Sequence, residues 1–488
     1  MANSAIASAW GAARRRVNDM RAAVHSDWRP GDIFFGASRA GWATIGILGL
    51  LLGPAILVAW VLSSYLQVEV PASMSFVGND GWCDRSVSVG VHCWGDYSSI
   101  HFATLRGTPS DPEAVYPLST RLLRLPFFAA ESLLGFRVGL LLFVIVSAIC
   151  ILLPVLWSVR STPWFAKGVV LSIVGLGSAP FLILWDRGNV LALTVPFLLL
   201  AVVALIRDRP WLAVVAIVIA SSAKPQLALL AVALVAARAW VPAVVAGAAS
   251  VGVVVGSFFA FSSSGWAAML EWIRSAGEWS ASQSLDQDWP VNISGSRALY
   301  LVAEAIPGSG QWLPGVPDSV FTLLVFALFG ITTLAIAAAG RSMPPFASAI
   351  AMLAIACLAS PLSYAYYGVF ALVVVAIMIR DGFVGWPTKR PLGKILIVSL
   401  IAALVLSLTP LVVPLGGTVV PETGPPRVVV SLLPILGTGA WLIFLAAVAA
   451  WSITELRNRF RVKRGNVDPT FDGHLRAARA TVDSHTGV

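Results

Sequence analysis

Residues 139–158 read GLLLFVIVSAICILLPVLWS. This run is unbroken by charge and about as long as a helix needs to cross the roughly 30 Å hydrocarbon core of a bilayer. A membrane β-strand would instead show about ten residues of alternating hydrophobicity. The run predicts a transmembrane helix, and the rest of the chain repeats the pattern. Further apolar runs fall at 41–65, 168–185, 190–206, 210–223, 225–240, 241–262, 318–339, 343–360, 364–380, 393–413 and 428–452. The predicted fold class is an all-α polytopic membrane protein, a bundle of about 12 transmembrane helices. Composition agrees: of 488 residues, 58% are hydrophobic and 12% charged, against roughly 25% charged in soluble domains.

The net charge of +9 sits largely in two tails, Arg14-Arg15-Arg16 and the set Arg457, Arg459, Arg461, Lys463 and Arg464. Basic clusters beside spans orient a protein and contact anionic lipid. They do not point to nucleic acid. With the N-terminus in the cytoplasm, alternation places Arg160, Lys167, Arg207, Arg209, Arg238, Arg341, Arg380, Lys389, Arg390 and Lys394 inside as well. No short loop then breaks the positive-inside rule. The reading is a multi-pass plasma-membrane protein with both termini cytoplasmic. A basic segment spans 1–40, the membrane domain 41–452, and a basic tail 453–488, polar and expected to be disordered from about 465. The N-terminal segment is not a cleaved signal, because the first apolar run is long enough to stay as an anchor.

The opposite face collects the remaining polar chemistry. The first outer loop, 66–138, holds Asp80, Asp84, His92, Asp96, Asp111, Glu113 and Tyr116-Pro117. Next come Asp186-Arg187-Gly188-Asn189 and Lys224-Pro225-Gln226. The loop 263–317 carries Glu271, Glu278, Asp286, Asp288 and Asn292, and Ser360 to Tyr367 opens on the same side, as does a shorter loop at 414–427. Within the first loop, 98–106 and 117–134 mix apolar residues with Arg106, Arg121, Arg124 and Glu131, a pattern for short interfacial helices. One-sided chemistry suits an enzyme at the outer leaflet. A lipid or sugar transporter or flippase is the alternative, but it is expected to place ionisable groups near mid-membrane beside paired broken helices. A non-catalytic assembly protein is a third reading.

Each site has a chemical reading and a plain one. Asp96, in Cys93-Trp94-Gly95-Asp96-Tyr97, could be a general base whose pKa is tuned by partial burial, or an N-cap of the next helical turn. Asp186-Arg187 ends an apolar run, where charge defaults to function, or it is an ion pair that snorkels. Lys224, followed by the helix-opening Pro225, suits a phosphate or snorkels. Asn292-Ile293-Ser294 fits a glycosylation sequon or lines a sugar pocket. Trp82, Trp94, Trp279 and Trp289 stack on sugars or belong to the interfacial belt. Cys83 and Cys93 share the first loop and form either a disulfide or two free thiols. Cys150 and Cys357 fall in spans. Asp80 and Asp84 lack companions that would complete a ligand set, so neither a metal nor another cofactor is expected.

Taken in order, these pieces resemble the polyprenyl-phosphate-sugar-dependent membrane glycosyltransferases of the GT-C fold. The nearest resemblance is to glycosyltransferase family 87, which includes actinobacterial mannosyltransferases and an arabinofuranosyltransferase. Gly95-Asp96-Tyr97 resembles the acidic motif of the first loop. Tyr116-Pro117 with Leu122 to Phe128 resembles a Tyr-Pro-Pro stretch. Asp186 to Asn189, Lys224-Pro225, Asn292-Ile293-Ser294, and Ser360-Pro361 with Tyr366-Tyr367 resemble its later motifs. The resemblance covers about residues 41–380. Two departures stand out: Leu118 replaces the second proline, and tyrosines stand late in the chain where related mannosyltransferases tend to show histidine.

The resemblance implies a GT-C-like bundle and an inverting transfer at the outer face. A polyprenyl-phosphate sugar, mannose before arabinofuranose, would be the donor. The acceptor hydroxyl would belong to a cell-envelope glycolipid or polysaccharide. Asp96 would be the base, with Lys224, Arg187 and Tyr97 on the donor phosphate. Asp186, Asn189, Tyr116, Asn292, Tyr366 and Tyr367 would line the substrates, and membrane lipid would surround the bundle, with a cavity for the donor's tail.

Overall fold

A computed structural model describes residues 39–65, 97, 116–281, 293–359, 363, 365–381, 391–419 and 428–463. The cysteine pair Cys83 and Cys93, the piece 98–106, Asp96, Asn292 and both chain ends lie outside these residues.

The helices follow the apolar runs. In chain order they are α1 (Arg39–Tyr65), α2 (Thr120–Leu134), α3 (Phe136–Ser158), α4 (Trp164–Val170), α5 (Ala179–Arg187), α6 (Leu191–Ile206), α7 (Pro210–Ala223), α8 (Ala231–Ala236) and α9 (Trp240–Phe261). They continue with α10 (Trp266–Ala281), α11 (Gly295–Glu304), α12 (Ser309–Trp312), α13 (Asp318–Ala339), α14 (Pro345–Leu358), α15 (Phe370–Asp381), α16 (Pro391–Leu408) and α17 (Leu433–Lys463). A π-helical turn, Leu171–Leu176, extends α4. Short 3-10 helices at Pro225–Leu230 and Ala365–Val369 lead into α8 and α15. Between α16 and α17, β1 (Pro414–Val419) and β2 (Val428–Ser431) form a small antiparallel pair, a departure from the all-α expectation: β1 lies within the predicted loop 414–427 and β2 at the start of the predicted run 428–452.

The bundle is apolar on both sides of its helices. Phe346 to Leu358 of α14 are all buried, as are Phe370 to Ile379 of α15. These two helices form the centre, and α3, α6, α16 and α17 pack around them. The outer helices turn large apolar side chains outward, among them Leu50 and Leu57 of α1, Val244 and Val251 of α9, and Leu323 and Leu334 of α13. An exposed apolar surface of this extent has lipid as its solvent. The chain is a multi-pass membrane protein.

The span count differs from the sequence expectation. Among the described residues, six helices are long and apolar enough to cross a membrane, or seven if the pair Trp164–Leu176 and Ala179–Arg187, bent by 59°, is one span. Leu191–Ile206, Pro210–Ala223, Pro225–Ala236, Pro345–Leu358 and Tyr366–Arg380 are apolar helices of only 10–17 residues. At about 1.5 Å per residue the longest of these falls short of a 30 Å core. Helix length therefore accounts for fewer crossings than the predicted 12, even though every predicted run contains helix. Buried protein surroundings allow such short pieces, because their freed backbone groups meet protein rather than lipid.

The amphipathic piece 117–134 folds as α2. Its Thr120, Arg124 and Phe127 are buried, and it packs on α3 and α7. The turn from α2 to α3 is a single residue, Gly135, at φ +91°, a conformation other residues adopt only with strain.

Candidate active site

Five separate segments meet at one end of α6 and α7. The first is the junction of α5 and α6. Gly188 takes the left-handed conformation, φ +62°, and ends α5 just after Asp186 and Arg187, the usual role of glycine at a helix C-terminus. Asn189 then starts the next helix: its Oδ1 accepts the Leu191 N–H at 2.9 Å. Asp186 and Arg187 are both buried.

The second segment is Tyr116, just ahead of α2. The Asn189 amide donates to its hydroxyl at 2.6 Å. The third is Lys224, the extended residue between α7 and the 3-10 helix that Pro225 opens. Its ammonium lies 4.2 Å from the centre of the Tyr116 ring and 5.2 Å from that of Tyr367. The lysine is 9% exposed. Aromatic faces attract a cation and here hold it deep in the bundle.

Tyr367 belongs to the fourth segment, the 3-10 helix Ala365–Val369, which packs against α5. The Tyr366 and Tyr367 rings stack with centres 5.1 Å apart. The Ser363 carbonyl accepts the Ile293 N–H at 2.6 Å, and Thr438 of α17 donates to the Ile293 carbonyl at 2.8 Å. The residue that follows Asn292 is thus pinned to the segment that carries the two tyrosines. Ser294 caps α11 by accepting the Arg297 N–H at 3.2 Å.

The fifth segment is Tyr97. It is fully buried in an apolar cluster with Phe127, Phe143, Val190 and Ala223, against which Tyr116 packs. The neighbours in sequence of Asp96, Asn189 and Lys224 therefore share one cluster. The predicted residues Tyr97, Tyr116, Asp186, Arg187, Asn189, Lys224, Tyr366 and Tyr367 lie on these five segments.

The sequence reading passed over two charged partners of Tyr97. Arg124, 1% exposed, donates from Nη2 to the Tyr97 carbonyl at 2.7 Å, and its guanidinium lies 4.4 Å from the centre of the Tyr97 ring. Glu131 accepts a hydrogen bond from the Tyr97 hydroxyl. Burial and this bond raise the Tyr97 pKa above its ordinary value, so the phenol stays neutral. Burial lowers the Arg124 pKa to about 10, with Tyr97 and Glu131 opposing the shift, so the guanidinium stays charged near neutral pH. Their spacing was the available signal: seven residues apart, Arg124 and Glu131 lie on one face of an amphipathic helix. Arg297, buried 5.6 Å from the Tyr300 ring, was also passed over.

Among the described residues no group of three His, Cys, Asp or Glu side chains is arranged to hold a metal ion. The chemistry on hand is a buried ammonium, a buried guanidinium at the end of α5, and hydroxyl and amide groups beside them. That set suits an anion next to a polyhydroxyl ligand.

The family model of glycosyltransferase family 87 matches residues 114–361. No curated protein and no solved structure gives a significant match. The matched stretch contains Tyr116, the α5–α6 junction and Lys224, and ends just before the paired tyrosines. Because it covers half of the 488 residues, the chain belongs to glycosyltransferase family 87 and is a membrane glycosyltransferase.

Proposed function

We propose that the protein transfers a sugar from a polyprenyl phosphate to a hydroxyl of a cell-envelope glycolipid or polysaccharide at the outer face of the plasma membrane, with inversion. Mannose is the first choice of sugar and arabinofuranose the second. The observation that carries the reading is the Lys224 ammonium held between Tyr116 and Tyr367 at the end of α7. A cation at membrane depth is expensive and defaults to function, and a lipid-linked phosphate is an anion delivered at that depth.

Asp96 takes the proton of the acceptor hydroxyl as that oxygen bonds to the anomeric carbon. The bond from the anomeric carbon to the phosphate oxygen breaks on the opposite face, and polyprenyl phosphate leaves with the electron pair. Lys224 and Arg187 stabilise the charge that gathers on the departing phosphate. Asp186, Asn189, Tyr116, Asn292 and the Tyr366–Tyr367 pair orient the sugar and the acceptor. Phosphate is already a good leaving group, so the reaction needs no metal.

Both termini are cytoplasmic in this reading, as the basic clusters favour. The short helices α6, α7, α8, α14 and α15 complete the predicted count of about 12 crossings within the bundle, and α2 lies along the outer interface.

Purified protein in lipid nanodiscs, given labelled polyprenyl-phosphate mannose or polyprenyl-phosphate arabinofuranose and an envelope glycolipid extract, tests this. The expected result is labelled acceptor from one of the two donors. Use of neither donor overturns the donor class. Movement of lipid or sugar across vesicles without transfer would favour the transporter instead.

A further inference from the structure

We infer that Ser119 positions Lys224 for the donor phosphate. Its hydroxyl ties the entry of α2 to the broken end of α7, and that tie sets the Tyr116 ring on the Lys224 ammonium. The inference rests on the proposed role of Lys224 at the phosphate.

The break in α7 creates the need. Lys224 is extended, at φ −139° and ψ +99°, and Pro225 behind it brings no N–H. In an unbroken helix the Ser222 carbonyl would accept the Gln226 N–H. The break ends that ladder and leaves the last carbonyls of α7 to find other donors. An unpaired backbone carbonyl inside a membrane is costly. The Ser119 hydroxyl fills the gap: it donates to the Ser222 carbonyl at 2.5 Å, and Ser119 is fully buried.

The serine gives up its ordinary task to do so. Ser119 stands at the N-cap of α2, where a serine side chain usually accepts an N–H of the first turn, yet it makes no such bond. The main chain closes that turn instead. The Thr120, Arg121 and Leu122 N–H groups donate to the Pro117, Leu118 and Ser119 carbonyls at 3.0, 3.1 and 3.1 Å. The Thr120 hydroxyl adds a second bond to the Pro117 carbonyl at 2.8 Å. Tyr116 thus leads directly into a closely bonded turn, and Ser119 fastens that turn to α7.

The result is a contact at two points. Ser119 meets Ser222, two residues before Lys224. Tyr116, three residues before Ser119, puts its ring centre 4.2 Å from the ammonium, and the Asn189 amide holds its hydroxyl at 2.6 Å. On α7 itself, Ser221 donates to Ser250 of α9 at 2.8 Å. The last turn of α7 is therefore fixed to both α2 and α9 just before the lysine. A loose turn there lets the ammonium shift, and a misplacement of about 1 Å can cost roughly 10²-fold in rate.

Ser119 is thus a positioning residue, and a double-mutant cycle in the full-length protein separates positioning from general support. Ser119→Ala, Lys224→Met and the pair are compared with wild type by donor kcat/KM per folded molecule and by melting temperature. With Lys224 present, Ser119→Ala is expected to lower kcat/KM by about tenfold or more. In the Lys224→Met background it is expected to change kcat/KM by less than about twofold, because the group it positions is gone. The melting temperature should fall in both backgrounds, since the Ser222 carbonyl loses its donor in each. Ser119→Cys keeps the size with a weaker donor. It is expected to fall between serine and alanine, and it replaces alanine in the cycle if that variant does not fold.

Wild-type kcat/KM in Ser119→Ala, with Lys224→Met impaired, overturns the positioning role alone. So does an equal loss in the two backgrounds, which marks a structural serine. Wild-type transfer by Lys224→Met removes the phosphate reading, and the positioning role goes with it.

Discussion

Replacing Lys224 with methionine tests the phosphate contact while sparing the fold. Methionine has similar length and packs well against aromatic rings, so it can fill the space beside Tyr116 and Tyr367. The substitution removes two cation–aromatic contacts, at 4.2 Å and 5.2 Å, worth about 0.5–1 kcal/mol each. It also removes the penalty of burying a charge on a residue that is 9% exposed, which works in the opposite direction. Stability should therefore change little, and the melting temperature by tryptophan fluorescence should stay within a few degrees of wild type. Transfer should not. Losing one group aimed at charge that develops in the transition state costs about 2.7–4 kcal/mol, or roughly 10²–10³-fold in rate. Initial rates of labelled-sugar transfer, with donor varied, give kcat/KM directly. A rate within threefold of wild type refutes a role for Lys224 at the phosphate. A large fall in melting temperature with transfer per folded molecule unchanged shows a structural lysine instead.

Three further outcomes follow from the same geometry. Asn189→Ala removes both the 2.6 Å bond to Tyr116 and the 2.9 Å acceptor for Leu191 N–H, at about 1–2 kcal/mol of stability for the lost helix start. It should lower the melting temperature and raise donor KM, and an unchanged donor KM counts against a role for the Asn189–Tyr116 pair in binding. Gly139→Ala forces its Cβ onto Glu131, the acceptor of the Tyr97 hydroxyl, and should lower the melting temperature, while an unchanged melting temperature would show that the close approach of α2 and α3 at Gly139 adds no stability. Gly188→Ala puts a side chain at φ +62°, which costs about 1–2 kcal/mol, and shifts the end of α5. Reduced transfer with Asp186 and Arg187 intact is expected, and an unchanged rate and melting temperature would show that the α5–α6 turn does not set the site.

Much of the architecture can be read from hydropathy. Every predicted apolar run contains helix, and the run 139–158 became α3, starting three residues earlier at Phe136. Hydropathy could not show where a run stops crossing. The run 168–185 bends by 59° after Leu176. The segments on either side of Lys224 are 14 and 6 helical residues long before the geometry changes. Apolar composition continues through such breaks because the short helices are buried in protein, where length is not matched to a bilayer. At the site, the motifs were legible one at a time, since charges and amides stranded in apolar sequence stand out. Their partners were not: Tyr116 meets Asn189 across 73 residues of chain, and Tyr97 meets Glu131 across 34. Arg124 looked like one charge on an amphipathic helix. Only the fold reveals that its face turns inward onto Tyr97.

The most direct measurement is the transfer rate of Asp96→Asn with donor binding followed in the same preparation. A general base contributes about 10²–10⁴-fold, and asparagine matches the carboxylate in shape but cannot take the proton. The account predicts that kcat falls by about this factor while polyprenyl-phosphate-sugar binding stays within a few-fold of wild type. Full transfer by Asp96→Asn would contradict it.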